Sequence, residues 1–164
     1  MIPPSSLPFF HPASLIATVF GTGLVPLAAG TAGSAVAVPI AALIYWASGP
    51  LVLFVATLLV FFLGWRASTV YVARTGTEDP GAIVIDEVAG QWLVLVVAPL
   101  DVWYFLLGFV LFRLFDIVKP WPVSWADRRI KGGLGVMLDD MLAGVYGAAI
   151  VVVVAWFIEG RNVL

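Results

Sequence analysis

The sequence predicts an all-α integral membrane protein with about five transmembrane helices and an N-terminal re-entrant or interfacial helical segment. The first observation is composition: 62% of the 164 residues are hydrophobic and only 11% are charged. Ordinary soluble domains are about 25% charged, so this chain lacks the polar surface to cover itself in water. The second is that the apolar residues come in long stretches, each near the ~20 residues that cross ~30 Å of hydrocarbon as a helix. The third is that most ionisable residues fall in the linkers or toward one end of those stretches.

In order along the chain, residues 1–11 hold three prolines and no Lys or Arg, so no cleavable signal is expected there. Residues 14–29 are interrupted by Gly21, Gly23 and Pro26, which suits an interfacial or re-entrant piece better than a full span. Spans are expected at about 31–47, 51–72, 80–98, 102–118 and 136–158, in a single membrane domain covering 1–164. Ser48-Gly49-Pro50 and Pro99-Leu100-Asp101 separate spans as tight turns without a Lys or Arg. The other linkers carry Arg74, then Lys119, Arg128, Arg129 and Lys131 in a basic loop over 119–135. The positive-inside rule places those longer loops in the cytoplasm. Trp46, Trp103, Trp121 and Trp125 near span ends suit an interfacial aromatic belt.

Composition also excludes classes. The net charge of −2 lacks the broad basic face of a nucleic-acid binder, so no nucleic acid is expected as a partner. With no Cys there is no disulfide framework, thiolate nucleophile or cysteine metal site, and His11 is the sole histidine.

Alternating spans bring the polar residues to one face. Gly30-Thr31-Ala32-Gly33-Ser34 opens the first span, while Asp79, Asp86 and Glu87 lie early in the third. Arg113 and Asp116 close the fourth, and Asp139-Asp140 open the fifth. A carboxylate near the centre of a span costs about 2.5–3.5 kcal/mol, and clustered carboxylates repel unless a cation joins them. The acids outnumber the arginines near them, so a divalent ion is expected. Oxygen-only donors favour Mg²⁺ or Mn²⁺ over Zn²⁺. Adjacent acids on a helix point about 100° apart, so one member of a pair can bind metal while its neighbour holds a cation.

Asp86, Glu87, Asp139 and Asp140 are the candidate metal ligands, with Asp116 as a fifth catalytic acid that ligates or orients. Arg113, Lys119, Arg128, Arg129 and Thr31 are the candidate phosphate contacts. Each has a plainer reading beside it. Acid pairs at helix starts complement the dipole, Asp79 before Pro80 suits an N-cap, and Arg113 with Asp116 suits an intramembrane ion pair. Gly30 to Ser34 suits helix packing, and the basic loop suits a grip on anionic membrane lipids. Acidic metal ligands facing basic phosphate donors at one membrane surface is the layout of metal-assisted phosphoryl transfer. The alternative is a small polytopic transporter or channel with a carboxylate cation site. Such a protein needs a polar path through both halves of the bilayer, and the opposite helix ends are nearly free of charge.

Several segments together resemble the phosphatidylglycerophosphatase A family of bacterial inner-membrane lipid phosphatases. They are Phe20-Gly-Thr-Gly-Leu-Val-Pro26, Gly30-Thr-Ala-Gly-Ser34 and Asp79-Pro-Gly-Ala-Ile-Val-Ile-Asp-Glu-Val-Ala-Gly90. Phe112-Arg-Leu-Phe-Asp-Ile-Val-Lys-Pro-Trp-Pro122, Asp127-Arg-Arg-Ile-Lys-Gly-Gly-Leu-Gly135 and Asp139-Asp-Met-Leu-Ala-Gly144 follow in order. The resemblance implies Mg²⁺-dependent dephosphorylation of phosphatidylglycerophosphate, a lipid, to phosphatidylglycerol and inorganic phosphate. It also implies a multi-pass protein of the bacterial inner membrane whose site faces the cytoplasm.

Overall fold

The computed structural model describes residues 7–77 and 80–160. The described residues form six α-helices: α1 (Pro12–Ala17), α2 (Ala29–Thr75), α3 (Ile85–Val96), α4 (Val102–Val118), α5 (Val123–Arg129) and α6 (Gly132–Glu159). A 3-10 turn at Thr22–Leu24 lies between α1 and α2. There is no strand among the described residues.

The 47 residues of α2 do not form one rod. Gly49 leaves helical geometry at φ 81°, ψ 173°, and Pro50 follows it, so the ladder breaks where a proline has no N–H to give. A Cβ on Gly33 would lie 2.9 Å from Val84 Cβ, and one on Gly64 would lie 3.1 Å from Ile85 Cγ2. Val84 and Ile85 are chain neighbours, yet in a straight helix Gly33 and Gly64 would be roughly 45 Å apart. The two halves of α2 therefore run back along each other.

Contacts at each depth give the directions of the rest. The Trp92 indole N–H donates to Ala37 O at 2.9 Å, so α3 runs alongside the first half of α2. A Cβ on Gly108 would meet Leu95 and Val94 at 3.0 and 3.2 Å, which sets α4 against α3 in the opposite sense. Gly133 of α6 abuts Thr69 in the second half of α2. As a result α2, α3 and α6 begin at the same end of the bundle, and the second half of α2 and α4 finish there.

Two helices, α2 and α6, are long and apolar enough to cross a membrane. Their outward faces are apolar too, with Leu43, Leu51, Leu59, Phe62, Leu63, Val153, Phe157 and Ile158 exposed. A soluble bundle would bury such residues, so the chain is membrane-associated. α3 is instead the central helix, buried on nearly every side.

Two boundaries differ from the sequence expectation. α3 is 12 residues long and does not fill 80–98, because the chain turns through Gly81 and reaches Ile85 tied to α1 by a Val84 N–H to Ala17 O bond of 2.9 Å. The basic loop 119–135 contains α5 and the start of α6, which begins at Gly132 and not at 136. At the N-terminus, α1 and the 3-10 turn are each too short to cross hydrocarbon. They pack on α2 and leave Phe10, Phe20 and Leu27 exposed.

Candidate metal and phosphate site

Where the helices begin and end together they enclose a cavity of about 480 Å³. Glycines let the walls come close enough to form it. A Cβ on Gly90 of α3 would sit 2.6 Å from Asp140 O, and one on Gly144 of α6 would sit 2.6 Å from Gly90 O. The backbones of α3 and α6 thus touch at this crossing, and that contact fixes how near Asp86 and Asp140 lie. Gly30, at the start of α2, leaves room that Glu87 Oε1 fills; any Cβ there would collide with it.

Asp86, Glu87 and Asp140 converge. One carboxylate oxygen from each lies within 4.8 Å of the other two, a spacing that could hold a metal ion. Asp86 and Asp140 are 9% and 4% exposed. Asp86 Oδ1, Glu87 Oε2 and Asp140 Oδ2 are buried without a hydrogen-bond partner among the described residues. Buried carboxylate oxygens are normally satisfied, and three carboxylates gathered this closely, each with an orphaned oxygen, are costly unless a cation joins them. Carboxylate oxygens without nitrogen or sulfur donors fit a hard divalent ion. Helix-dipole complementation does not account for Asp140. α6 starts at Gly132, which puts Asp139 and Asp140 about two turns in, beyond the first turn where the dipole acts.

Two cations flank the three acids, each tied to carboxylates. Arg113 Nη1 lies 2.6 Å from Asp116 Oδ2 and 4.0 Å from Glu87 Oε1, and donates to Ser34 Oγ at 3.5 Å. Its Nε has no partner among the described residues. Lys119 Nζ donates to Asp127 Oδ1 at 2.5 Å and to Asp139 Oδ2 at 2.6 Å, so one ammonium joins α4, α5 and α6. Partial burial works against the charge on Lys119, but the carboxylates of Asp127 and Asp139 outweigh it and raise its pKa above the ordinary lysine value. Arg128, exposed at the rim, donates from Nε to Ser124 O at 2.9 Å and pairs with no carboxylate among the described residues.

Of the residues expected at the site, Asp86, Glu87, Asp116, Asp139, Asp140, Arg113, Lys119 and Arg128 all line this cavity. Thr31 and Arg129 do not: Thr31 is half-buried on α2, and Arg129 is exposed on α5. The four acids considered as metal ligands divide, since Asp139 is held by Lys119 while the other three group together. Asp79 lies outside the described residues, and the residue at the N-cap of α3 is Val84. Sequence reasoning gave Asp127 no role. It sits beside Arg128 and Arg129, where it reads as one charge in a solvated run, and only the fold brings it to Lys119. Ser34 was likewise given no contact with Arg113; its place on one helical face with Gly30, four residues earlier, was the available signal.

The phosphatidylglycerophosphatase A family profile matches residues 15–155. Phosphatidylglycerophosphatase A of Escherichia coli (strain K12) is 38% identical over 151 residues, spanning 89% of this chain and 85% of the relative. The protein of the same name from Haemophilus influenzae is 34% identical over 156 residues, spanning 94% and 96%. A Bacteroides thetaiotaomicron protein, provisionally named a phosphatidylinositol-3-phosphatase, is 40% identical over 164 residues, spanning 92% and 98%. No solved structure matches the chain.

Proposed function

The chain belongs to the phosphatidylglycerophosphatase A family, and from that premise we propose that it hydrolyses the terminal phosphomonoester of phosphatidylglycerophosphate, giving phosphatidylglycerol and inorganic phosphate. Mg²⁺ is the proposed cofactor, with Asp86, Glu87 and Asp140 as its ligands. The observation that carries this is the set of three orphaned carboxylate oxygens buried in one cavity with Arg113. When bound there, a divalent ion polarises phosphoryl oxygens and lowers the pKa of a water molecule.

The chain's own residues do the rest. Arg113, oriented by Asp116, and Arg128 at the rim offer guanidinium N–H groups to phosphate oxygens, as charge builds on them. Lys119 holds Asp139 by Oδ2 and leaves Oδ1, buried and without a partner among the described residues, to accept the proton of the water that attacks phosphorus and to pass it to the glycerol oxygen as its bond to phosphorus breaks. The starts of α2, α3 and α6 meet at this end, which brings three helix N-termini, where backbone N–H groups lack intrahelical partners and suit an anion, to the cavity.

In the bilayer, the two halves of α2, then α3, α4 and α6 make five passes, with the short α3 completed by the turns on either side of it. Arg74, Lys119, Arg128, Arg129 and Lys131 all belong to the cavity end, which the positive-inside rule assigns to the cytoplasm. The lipid presents its headgroup to the cavity from the same leaflet while its acyl chains stay in hydrocarbon.

The test is inorganic phosphate release by the purified protein from phosphatidylglycerophosphate, with phosphatidylinositol 3-phosphate in parallel. Release from the first with Mg²⁺, lost on chelation and regained on adding Mg²⁺ back, is expected. Release from the inositol lipid alone would move the substrate assignment, and release from neither would end the enzyme reading.

A further inference from the structure

The described lining of the cavity holds six acids, Asp86, Glu87, Asp116, Asp127, Asp139 and Asp140. Phosphoryl-transfer sites so rich in carboxylate commonly hold two divalent ions about 3.5–4 Å apart. Here the acids are not equivalent. Asp116 has the Arg113 guanidinium at 2.6 Å. Asp127 and Asp139, from different helices, share the Lys119 ammonium at 2.5 and 2.6 Å. Among the described residues, only Asp86, Glu87 and Asp140 are left with converging oxygens and no cation shown at hydrogen-bonding distance.

We infer that Lys119 is a built-in cation filling the second carboxylate pair, so that the cavity takes one divalent ion per chain, at Asp86, Glu87 and Asp140, and not two. This rests on the proposed metal site and says how many ions that site holds.

The position of Lys119 is fixed by its backbone. It ends α4 in the left-handed region at φ 46°, with its N–H donating to Phe115 O at 2.9 Å, and Pro120 follows. Few residues other than glycine take that conformation, and proline restricts the residue before it. From there the ammonium reaches α5 and α6 together. Asp139 is 6% exposed, so removing the lysine leaves a buried carboxylate facing Asp127 with no charge between them. A pair of carboxylates left in that state recruits a cation from solution or repels. Asp139 precedes Asp140 in the chain, so an ion drawn to it would lie beside the first and restore a two-ion arrangement.

Mn²⁺ is the probe, titrated into the detergent-purified full chain, with free Mn²⁺ counted by electron paramagnetic resonance. Wild type is expected to bind one ion per chain, and Asp86→Asn none with comparable affinity. Lys119→Ala is expected to bind two, the second more weakly. Lys119→Ala with Asp127→Asn should return to one, as should Lys119→Arg, which keeps the positive charge. Two ions in wild type would overturn the inference and leave the metal reading intact, whereas no ion in wild type would overturn both. A Lys119→Ala protein that melts as a folded chain yet saturates at one ion would also overturn it. Should that variant not fold, the wild-type and Lys119→Arg counts decide.

Discussion

The two ends of the same helices have opposite chemistry. At the cavity end α3, α4, α5 and α6 all contribute ionisable groups, the backbones of α3 and α6 close on one another through Gly90 and Gly144, and Gly30 leaves room for the Glu87 side chain. At the far end the chain turns at Gly49-Pro50 and at Pro99-Leu100-Asp101. The helices there pack through Ala41, Leu53, Leu95, Val151 and Ala155. Asp101 at that end serves as the N-cap of α4, accepting from the Trp103 N–H at 2.8 Å. Architecture alone therefore does not make the site. Both ends have helix termini, but charge is concentrated where water and headgroups can reach it, since a carboxylate deeper in hydrocarbon costs about 2.5–3.5 kcal/mol.

Substitutions at each end sharpen the contrast. Asp140→Asn removes one converging oxygen and its charge. Metal-ion stabilisation is worth several kcal/mol and each 1.36 kcal/mol is tenfold, so kcat for phosphate release is expected to fall by roughly 10³-fold or more. Thermal unfolding of the purified variant should stay cooperative, since the change relieves repulsion within the acid cluster.

Gly144→Ala pushes α6 off the Gly90 carbonyl. Overpacking costs about 1–3 kcal/mol, and a displacement near 1 Å costs about 10²-fold in rate, so a lower Tm together with a kcat loss of that order is expected. Unchanged activity would mean that the α3–α6 crossing does not set the spacing of the acids. Arg128→Ala deletes a rim cation that pairs with no carboxylate among the described residues. A hydrogen bond to a charged group is worth about 1.5–3 kcal/mol, so KM should rise roughly tenfold or more with kcat changed less. The smallest effect belongs to the far end. Asp101→Ala should lose about 1 kcal/mol of stability, as N-cap removals do, and leave phosphate release unchanged. A loss of activity there would break the comparison.

Much of the scaffold is legible in the sequence because hydropathy and punctuation agree. α4 occupies Val102–Val118, and the first chain reversal falls at Gly49-Pro50, where proline and a positive-φ glycine end a helix together. Hydropathy fails at 80–84, because an apolar turn and an apolar helix look alike by composition. It fails again at residues 132–135, which the expected span from 136 leaves in the basic loop. There α6 begins at Gly132, which takes φ 72°, and Gly133 and Gly135 serve close packing against Thr69 and the Ile130 carbonyl. At the site, the 100° rule separates Asp139 from Asp140 in principle. Which of them meets Lys119 depends on where α5 puts Asp127, and that is a tertiary fact. Thr31 illustrates the reverse: it shares a small-residue segment with Gly30, yet only Gly30 and its neighbour Ala29 reach the cavity.

The chain has no cysteine, so single-cysteine labelling reads its membrane placement without background. Thr77→Cys and Trp125→Cys mark the cavity end, and Ser48→Cys and Leu100→Cys mark the far end; all four positions are exposed. With a membrane-impermeant maleimide, the first two should react in inside-out vesicles only and the last two in right-side-out vesicles only. Thr77 and Trp125 reacting from opposite faces would contradict a single charged cavity at the cytoplasmic surface.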